Sequence, residues 1–247
     1  MAGALGWRVS RRNALGTVIL VRHARSLANA ENILAGQLPG VRLDPHGLHQ
    51  SQTLSQSLGQ IPIAKVFVSP LERCLATIDP WLARYGAGIP VESDPRIIEP
   101  DYGSWSGRKL DELALEPLWK DVQENPELVT FPDGERFLDV WHRVRSFYQA
   151  LRDSVESEKI YLVVSHGDII KFLIANTLSM EFKSFQSLVV EPASISIAQF
   201  SDSQARLIQF NRSHESLAEY LQQLKLAPSQ IMKPTLGGEV RAKSGAH

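Results

Sequence analysis

Two histidines and two arginines stand where they could carry out chemistry. His23 and Arg22 follow one short apolar run, and His166 follows another. Arg73 comes just after Ser69, where a third apolar run ends. If these runs are parallel strands, their carboxyl ends bring the side chains to one spot. Because a guanidinium binds phosphate oxygens in a two-pronged manner and stays charged at any working pH, the four side chains predict an oxyanion pocket for a phosphoryl group.

The elements that must position these residues can be predicted from hydrophobic patterns. Short runs that are apolar throughout are typical of strands buried on both faces. Such runs lie at residues 17–21, 65–68 and 160–164. Helices are predicted between and after them, at about 45–59, from Ser69-Pro70 onward, at 135–155 and through Leu178. Pro80 should end or kink the helix that carries Arg73.

Strands that alternate with helices predict an α/β fold, a three-layer sandwich with a mostly parallel central sheet and helices on both faces. Residues 194–200 and 206–210 alternate like a closing pair of strands, and a last helix is expected at about 215–226. We expect a single domain over residues 16–227, with an insertion at about 100–135. Residues 1–15 are predicted to form a flexible arm and residues 228–247 a disordered tail.

The composition narrows the classes of partner. Lys and Arg number 26 and Asp and Glu 27, so a general electrostatic hold on nucleic acid or on a membrane surface is not expected. Cys74 is the single cysteine of the chain, which excludes an intrachain disulfide and a cysteine-based metal site. No apolar run near the amino terminus is long enough for a spanning helix, and we expect a cytoplasmic protein.

The motifs resemble those of the histidine phosphatase superfamily, the phosphoglycerate-mutase-like proteins. The run Arg22-His23-Ala24-Arg25-Ser26-Leu27-Ala28-Asn29 is similar to the superfamily's Arg-His-Gly-x-Ser/Thr-x-x-Asn, with alanine in place of glycine after the histidine. The run from Ser69 to Thr77 is similar to Ser-Pro-Leu-x-Arg-x-x-x-Thr, and Ser165-His166-Gly167 follows in the same order. The methyl group of Ala24 requires a negative φ at that position.

The resemblance implies a role for each of these residues. His23 would be the nucleophile that carries the phosphoryl group as a phosphohistidine, and Arg22, Arg73 and His166 would form the phosphate pocket with Asn29 beside it. A nucleophilic imidazole must be neutral at its attacking nitrogen, with the proton of the other nitrogen held by an acceptor. The surrounding cations would supply the charge, so neither a metal nor a cofactor is expected.

Glu99 has the position of the proton donor to the leaving oxygen, with Asp101 as its substitute. A carboxyl that acts as an acid needs a raised pKa, from desolvation or from a neighbouring carboxylate such as that of Asp101. Ser26, Tyr102 and Arg108 are candidates for substrate binding, although Ser26 could equally cap the short helix that follows it.

The reaction that fits these features best is metal-independent hydrolysis of a small phosphomonoester. A cofactor-dependent phosphoglycerate mutase is the alternative, but the adjacent arginine pair of those mutases is absent, and Lys120 is the single basic residue between Leu110 and Val129. A non-catalytic module that binds a phosphorylated ligand is a further alternative. The sequence does not identify the substrate, and a homodimer is one candidate assembly.

Overall fold

A six-stranded sheet forms the middle layer of the molecule. The computed structural model describes residues 15–201 and 204–213. The strands are β1 (Gly16–Arg22), β2 (Ile63–Val68), β3 (Val91–Ser93), β4 (Ile160–Ser165), β5 (Ile195–Phe200) and β6 (Ala205–Arg212). They lie in the order β3-β2-β4-β1-β5-β6. The first four in this order are parallel, and β5 and β6 add two antiparallel pairings at one side.

Seven helices belong to the described part of the chain. They are α1 (Leu27–Ala30), α2 (Pro45–Leu58), α3 (Glu72–Tyr85), α4 (Leu110–Leu113), α5 (Pro117–Glu124), α6 (Phe137–Ser154) and α7 (Gly167–Thr177). Short 3₁₀ turns cover Pro95–Ile97, Gly103–Trp105, Pro126–Leu128 and Phe182–Ser187. Within the described residues, no helix is long and apolar enough to cross a membrane. The predicted last helix, the tail and residues 1–14 of the predicted arm lie outside them.

The two faces of the sheet carry separate apolar clusters. Along β1, Val18 and Leu20 join one cluster with residues of α6 and α7, whereas Ile19 and Val21 join the other with residues of α2 and α3. Alternate side chains of a strand point to opposite faces, so an entirely apolar strand needs cover on both. The predicted three-layer α/β architecture is confirmed.

The residues of the predicted insertion pack into the first of these clusters. Tyr102, Trp105, Trp119 and Phe131 are all buried there, and the ring of Phe131 contacts that of Phe137 at the start of α6. The aromatic side chains of this segment therefore share the apolar core that covers one face of the sheet.

The register of the sheet brings three strand ends to one level. Val164 of β4 lies beside Val21 of β1 and also beside Val68 of β2. The residues that follow these valines therefore leave the sheet side by side, as expected for the carboxyl edge of parallel strands.

Pro80, which was expected to end or kink α3, does not end it, because the helix continues to Tyr85. The proline has no N–H to donate to the carbonyl of Ala76, one turn earlier. The Ser51 hydroxyl of α2 lies 3.2 Å from that carbonyl oxygen and 2.9 Å from that of Thr77. A side chain of the neighbouring helix thus takes the place of the missing donor, and the helix runs on to Tyr85.

We predict that Ser51→Ala lowers the free energy of unfolding by about 1–2 kcal/mol, because a buried carbonyl loses its donor. In a Pro80→Ala background the loss should be smaller, since the restored N–H can serve Ala76. A double-mutant cycle by urea denaturation measures the difference. Equal losses in the two backgrounds would show that the hydroxyl does not compensate for the proline.

Candidate active site

The edge where β1, β2 and β4 end carries the two predicted histidines. His23 follows β1 and donates its backbone N–H to the carbonyl of Ser165, 2.8 Å away. His166 follows β4 and occupies the N-cap position of α7, without a capping hydrogen bond from its side chain. The centroids of the two imidazole rings are 5.2 Å apart, and both rings are buried. The structure therefore brings together the histidines that the sequence placed at separate strand ends.

The hydrogen bonds of His23 define its tautomer. Nδ1 lies 2.8 Å from the carbonyl oxygen of Ala24, and since a carbonyl only accepts, Nδ1 must carry the proton. Burial, and then the charge of Arg73, lowers the pKa of His23 well below its usual value. The ring is therefore neutral and Nε2 carries no proton, and this nitrogen accepts a long hydrogen bond from Arg73 Nε–H at 3.4 Å. The predicted acceptor for the proton of the second nitrogen is the Ala24 backbone.

Two buried guanidinium groups flank this imidazole. Arg22 is 0% and Arg73 2% exposed. Arg22 donates to the carbonyl of Val190 at 2.6 Å, and Arg73 donates to the carbonyl of Gly36 at 2.9 Å. Gly36 has a φ of 51°, and a Cβ there would lie 2.7 Å from the Ser106 hydroxyl, so the loop that presents this carbonyl requires glycine.

Glu99 lies against His166. Its Oε2 is 2.9 Å from Nδ1 of His166, and the carboxyl group is 3% exposed. Burial raises the pKa of Glu99 to about 7, against the opposing effect of Arg73 and Arg22. Burial also lowers the pKa of His166 well below its usual value, so this imidazole is neutral too. Its Nε2 contacts the Ser69 hydroxyl at 2.7 Å.

Asp101, the expected neighbour and substitute of Glu99, has hydrogen-bond partners in and around the turn that follows Glu99. Its carboxylate accepts from the backbone N–H of Gly103 at 2.9 Å, and its own N–H donates to Glu135. It therefore stabilises the turn after Glu99. The group in contact with His166 is Glu99, and desolvation is the main cause of its raised pKa.

The sequence analysis missed Arg143, which anchors the segment that carries Glu99. Its guanidinium donates to the backbone carbonyls of Arg96, Ile98 and Glu99 and pairs with Glu135. Gln37 donates to the Glu99 carbonyl as well, at 2.9 Å. On a helix surface Arg143 has the pattern of an ordinary solvated residue, so spacing alone could not single it out.

The loop after His23 is held by α2 and α3. The N–H of Ala24 donates to the Thr77 hydroxyl at 2.8 Å, and Ala24 keeps the negative φ that its methyl group requires. A Cβ on Gly47, in the first turn of α2, would lie 1.9 Å from the carbonyl oxygen of Arg25. Only glycine lets the helix approach this loop so closely.

Four further predicted site residues have structural partners. Ser26 caps α1 by accepting from Asn29 N–H, and Asn29 Oδ1 accepts from Ser26 in return, which makes a capping box. Arg108 pairs with Glu116 at 2.7 Å and is partly exposed.

Tyr102 is fully buried, with its hydroxyl between Glu99 and Asp168. Tyr102 therefore contacts Glu99 from the side of Asp168, in the interior of the protein. The roles of Ser26, Asn29 and Arg108 toward a substrate remain predictions.

His23, Glu99 and His166 offer one donor atom each within 4.8 Å of one another, which is a spacing that a metal ion could use. Two buried guanidinium groups stand in the same pocket, however, and they repel a cation and attract an anion. The electrostatics therefore favour an oxyanion at this position.

The chain is similar to known phosphoryl-transfer proteins. Residues 18–213 match the family model described as the histidine phosphatase superfamily (branch 1). Phosphoserine phosphatase 1 of Hydrogenobacter thermophilus is 29% identical over 201 residues, or 78% of this chain and 91% of that protein. The "Probable phosphoglycerate mutase GpmB" of Erwinia tasmaniensis is 30% identical over 181 residues, covering 72% and 82%. The crystal structure of the alpha-ribazole phosphatase from Shigella flexneri superposes with a TM-score of 0.71 at 26% identity, over 81% of this chain and all of that one.

We predict a pH-dependent difference in stability between the wild type and Glu99→Gln. The ordinary pKa of this carboxyl is 4.5, and the folded protein raises it to about 7. Between these values the unfolded chain ionises while the folded protein keeps its proton, so stability is lost as the pH rises. Relative to the variant, the wild type should lose on the order of 3 kcal/mol between pH 4 and pH 8 in urea denaturation. A difference that is constant with pH would contradict the raised pKa.

Proposed function

The chain belongs to branch 1 of the histidine phosphatase superfamily, and we propose that it hydrolyses small phosphomonoesters at the site of His23, Glu99 and His166. The observation that carries the proposal is the neutral His23 ring, whose unprotonated Nε2 faces the Arg73 guanidinium at 3.4 Å, with the charge of the buried Arg22 also acting on this ring. A nucleophile and a binding place for phosphoryl oxygens are thereby provided together.

In the first step, His23 Nε2 attacks phosphorus and the bond to the ester oxygen breaks. Arg22 and Arg73 bind the oxygens of the transferring group, whose charge they balance. The departing oxygen takes a proton from Glu99, and the alcohol leaves. A carboxyl group with a pKa of about 7 still holds this proton near neutral pH.

In the second step, water attacks the phosphohistidine. Glu99, now ionised, accepts a proton from that water, and the bond between His23 Nε2 and phosphorus breaks. Phosphate leaves, and both the neutral imidazole and the protonated carboxyl are restored. The same two residues thus serve both steps, with the roles of Glu99 reversed.

The basic side chains near the insertion support hydrolysis over mutase activity. A doubly phosphorylated intermediate would need cations beyond the core pocket. Lys120 is exposed and lies near Glu124, and Arg108 is paired with Glu116. Because these basic side chains lie near acidic ones, hydrolysis, in which water accepts the phosphoryl group, is the simpler proposal.

The expected partner of the protein is a small phosphorylated substrate, and we propose that it acts in the cytoplasm. A homodimer stays a candidate assembly that gel filtration with light scattering would test.

We predict that His23→Ala abolishes phosphoprotein formation. Incubation of the wild type with a ³²P-labelled phosphomonoester, followed by rapid quenching, should trap an acid-labile, base-stable label, because a phosphohistidine has that stability pattern. His142→Ala, which removes an exposed histidine of α6, is the matched control and should label normally. Label on the His23 variant, or no label and no turnover with any ester, would refute the proposal.

The same assay separates the alternative reactions. Label that is released as inorganic phosphate supports a phosphatase. Transfer between 2- and 3-phosphoglycerate supports the mutase instead, and binding of substrate without label or turnover supports a binding module.

We predict that Glu99→Gln acts according to the leaving group. With glycerol 2-phosphate, whose alkoxide needs a proton, kcat should fall about 10²–10⁴-fold. With p-nitrophenyl phosphate, whose phenolate leaves without one, the loss in the first step should be much smaller. Wild-type kcat for glycerol 2-phosphate should decline as the pH rises through about 7. Asp101→Asn is the matched control, and a selective loss there would transfer the donor role to Asp101.

A further inference from the structure

Three buried polar side chains behind Glu99 have no part in the steps above. The Tyr102 hydroxyl lies 3.0 Å from Oδ2 of Asp168 and 3.4 Å from Oε1 of Glu99. Lys171 Nζ lies 3.1 Å from Oδ1 of Asp168. All three residues are 0% exposed. Because buried charges are costly even when paired, an ion pair at this place needs a physical account.

The direction of the hydrogen bonds follows from counting protons. The Asp168 carboxylate only accepts, and it accepts from Lys171 on one oxygen and from Tyr102 on the other. A phenol has a single proton, and the shorter of its two contacts is the one to Asp168, 3.0 Å against 3.4 Å to Glu99, so we assign the proton of Tyr102 to Asp168. Burial and the neighbouring Asp168 raise the pKa of Tyr102 well above its usual value, which keeps that proton in place.

The phenol oxygen can therefore meet Glu99 only as an acceptor. An ionised Glu99 would place its Oε1 lone pairs against those of the phenol, whereas a protonated Glu99 can donate to them. Oε2 then remains a carbonyl-type oxygen that accepts from His166 Nδ1–H, and the Ser69 hydroxyl donates to Nε2 of the same ring.

We propose that Tyr102, held by the Asp168–Lys171 ion pair, is a positioning residue that keeps the acidic proton on Oε1 of Glu99. The inference rests on the proposed role of Glu99 as proton donor. The ion pair orients the phenol, and the phenol favours the protonated form of the carboxyl, the form that the first step of the reaction requires.

Other charged groups near Glu99 lower its pKa, which is opposite to the effect proposed for Tyr102. Arg73, Arg22 and Arg143 favour its ionised form, and His166 is neutral. These groups are unchanged in the variants below, so a shift between variants reports on the phenol and the ion pair alone. The direction of the shift shows whether the phenol accepts from Glu99 or donates to it, since a donated hydrogen bond would lower the pKa of Glu99.

The test is the pH dependence of kcat for glycerol 2-phosphate in Tyr102→Phe. Loss of the acceptor should lower the pKa of Glu99 and move the descending basic limb to lower pH by about one unit, or roughly tenfold in rate at a fixed pH above the limb. A limb that moves to higher pH would show that the phenol donates to the carboxylate. An unchanged limb would show that Tyr102 only fills space, and either result overturns the proposal.

Tyr161→Phe is the matched control. Tyr161 is also buried, its hydroxyl bonds to the carbonyl of Ser154, and it lies near the opposite end of β4 from His166. The basic limb of the pH profile of kcat should be the same for Tyr161→Phe as for the wild type.

A second variant covers the case in which Tyr102→Phe does not fold. Asp168→Leu/Lys171→Met removes both charges together, so no unpaired charge remains buried. The phenol then has Glu99 as its remaining partner in this chain and should turn its proton toward the carboxylate. The basic limb should again move to lower pH, and an unmoved limb would contradict the role of the ion pair.

A measurement without turnover separates this inference from the proposed function. In protein labelled with ¹³C at the glutamate side-chain carboxyls, the Glu99 signal is assigned by its loss in Glu99→Gln and is titrated in each variant. The titration midpoint should fall in Tyr102→Phe even if no ester is hydrolysed. An inactive wild type would refute the function, and an unshifted midpoint would refute the role of Tyr102.

Discussion

Burial of two guanidinium groups beside one imidazole is the constraint on which the site depends. Burial, together with the charges of Arg73 and Arg22, lowers the pKa of His23 and keeps the ring neutral, and the Ala24 carbonyl then determines which nitrogen is unprotonated. The cost of desolvating the arginines is offset by backbone carbonyls at Val190 and Gly36. The loops around the sheet edge therefore have to present their carbonyl oxygens inward.

The sheet and the grouping of the histidines and arginines at its edge could be predicted from the sequence because both depend on local patterns. Apolar runs identified β1, β2 and β4, and parallel strands bring whatever follows them to a common edge. The resemblance to a known family supplied the roles, which apolar periodicity could not have distinguished from those of structural histidines.

The features of the fold and the site that could not be predicted depend on contacts between segments that are distant in the sequence. Ser51 of α2 contacts the carbonyl of Ala76 that Pro80 leaves without its helical donor, and Arg143 donates to the Glu99 carbonyl from another helix. Asp168 and Lys171 look like the polar stripe of a helix, yet α7 is buried along almost its whole length. Such partners are set by packing, and a single sequence without its fold does not show which helix face becomes the interior.

The aromatic side chains of residues 100–135 have a consequence for how this fold could acquire new specificities. Trp105 and Phe131 belong to the same apolar cluster as α6, and Tyr102 joins that cluster to the carboxyl of Glu99. This segment therefore cannot be exchanged without also changing the apolar core. A graft from a relative would have to bring its own core-filling rings, so changes in substrate range and in thermal tolerance would be inherited together.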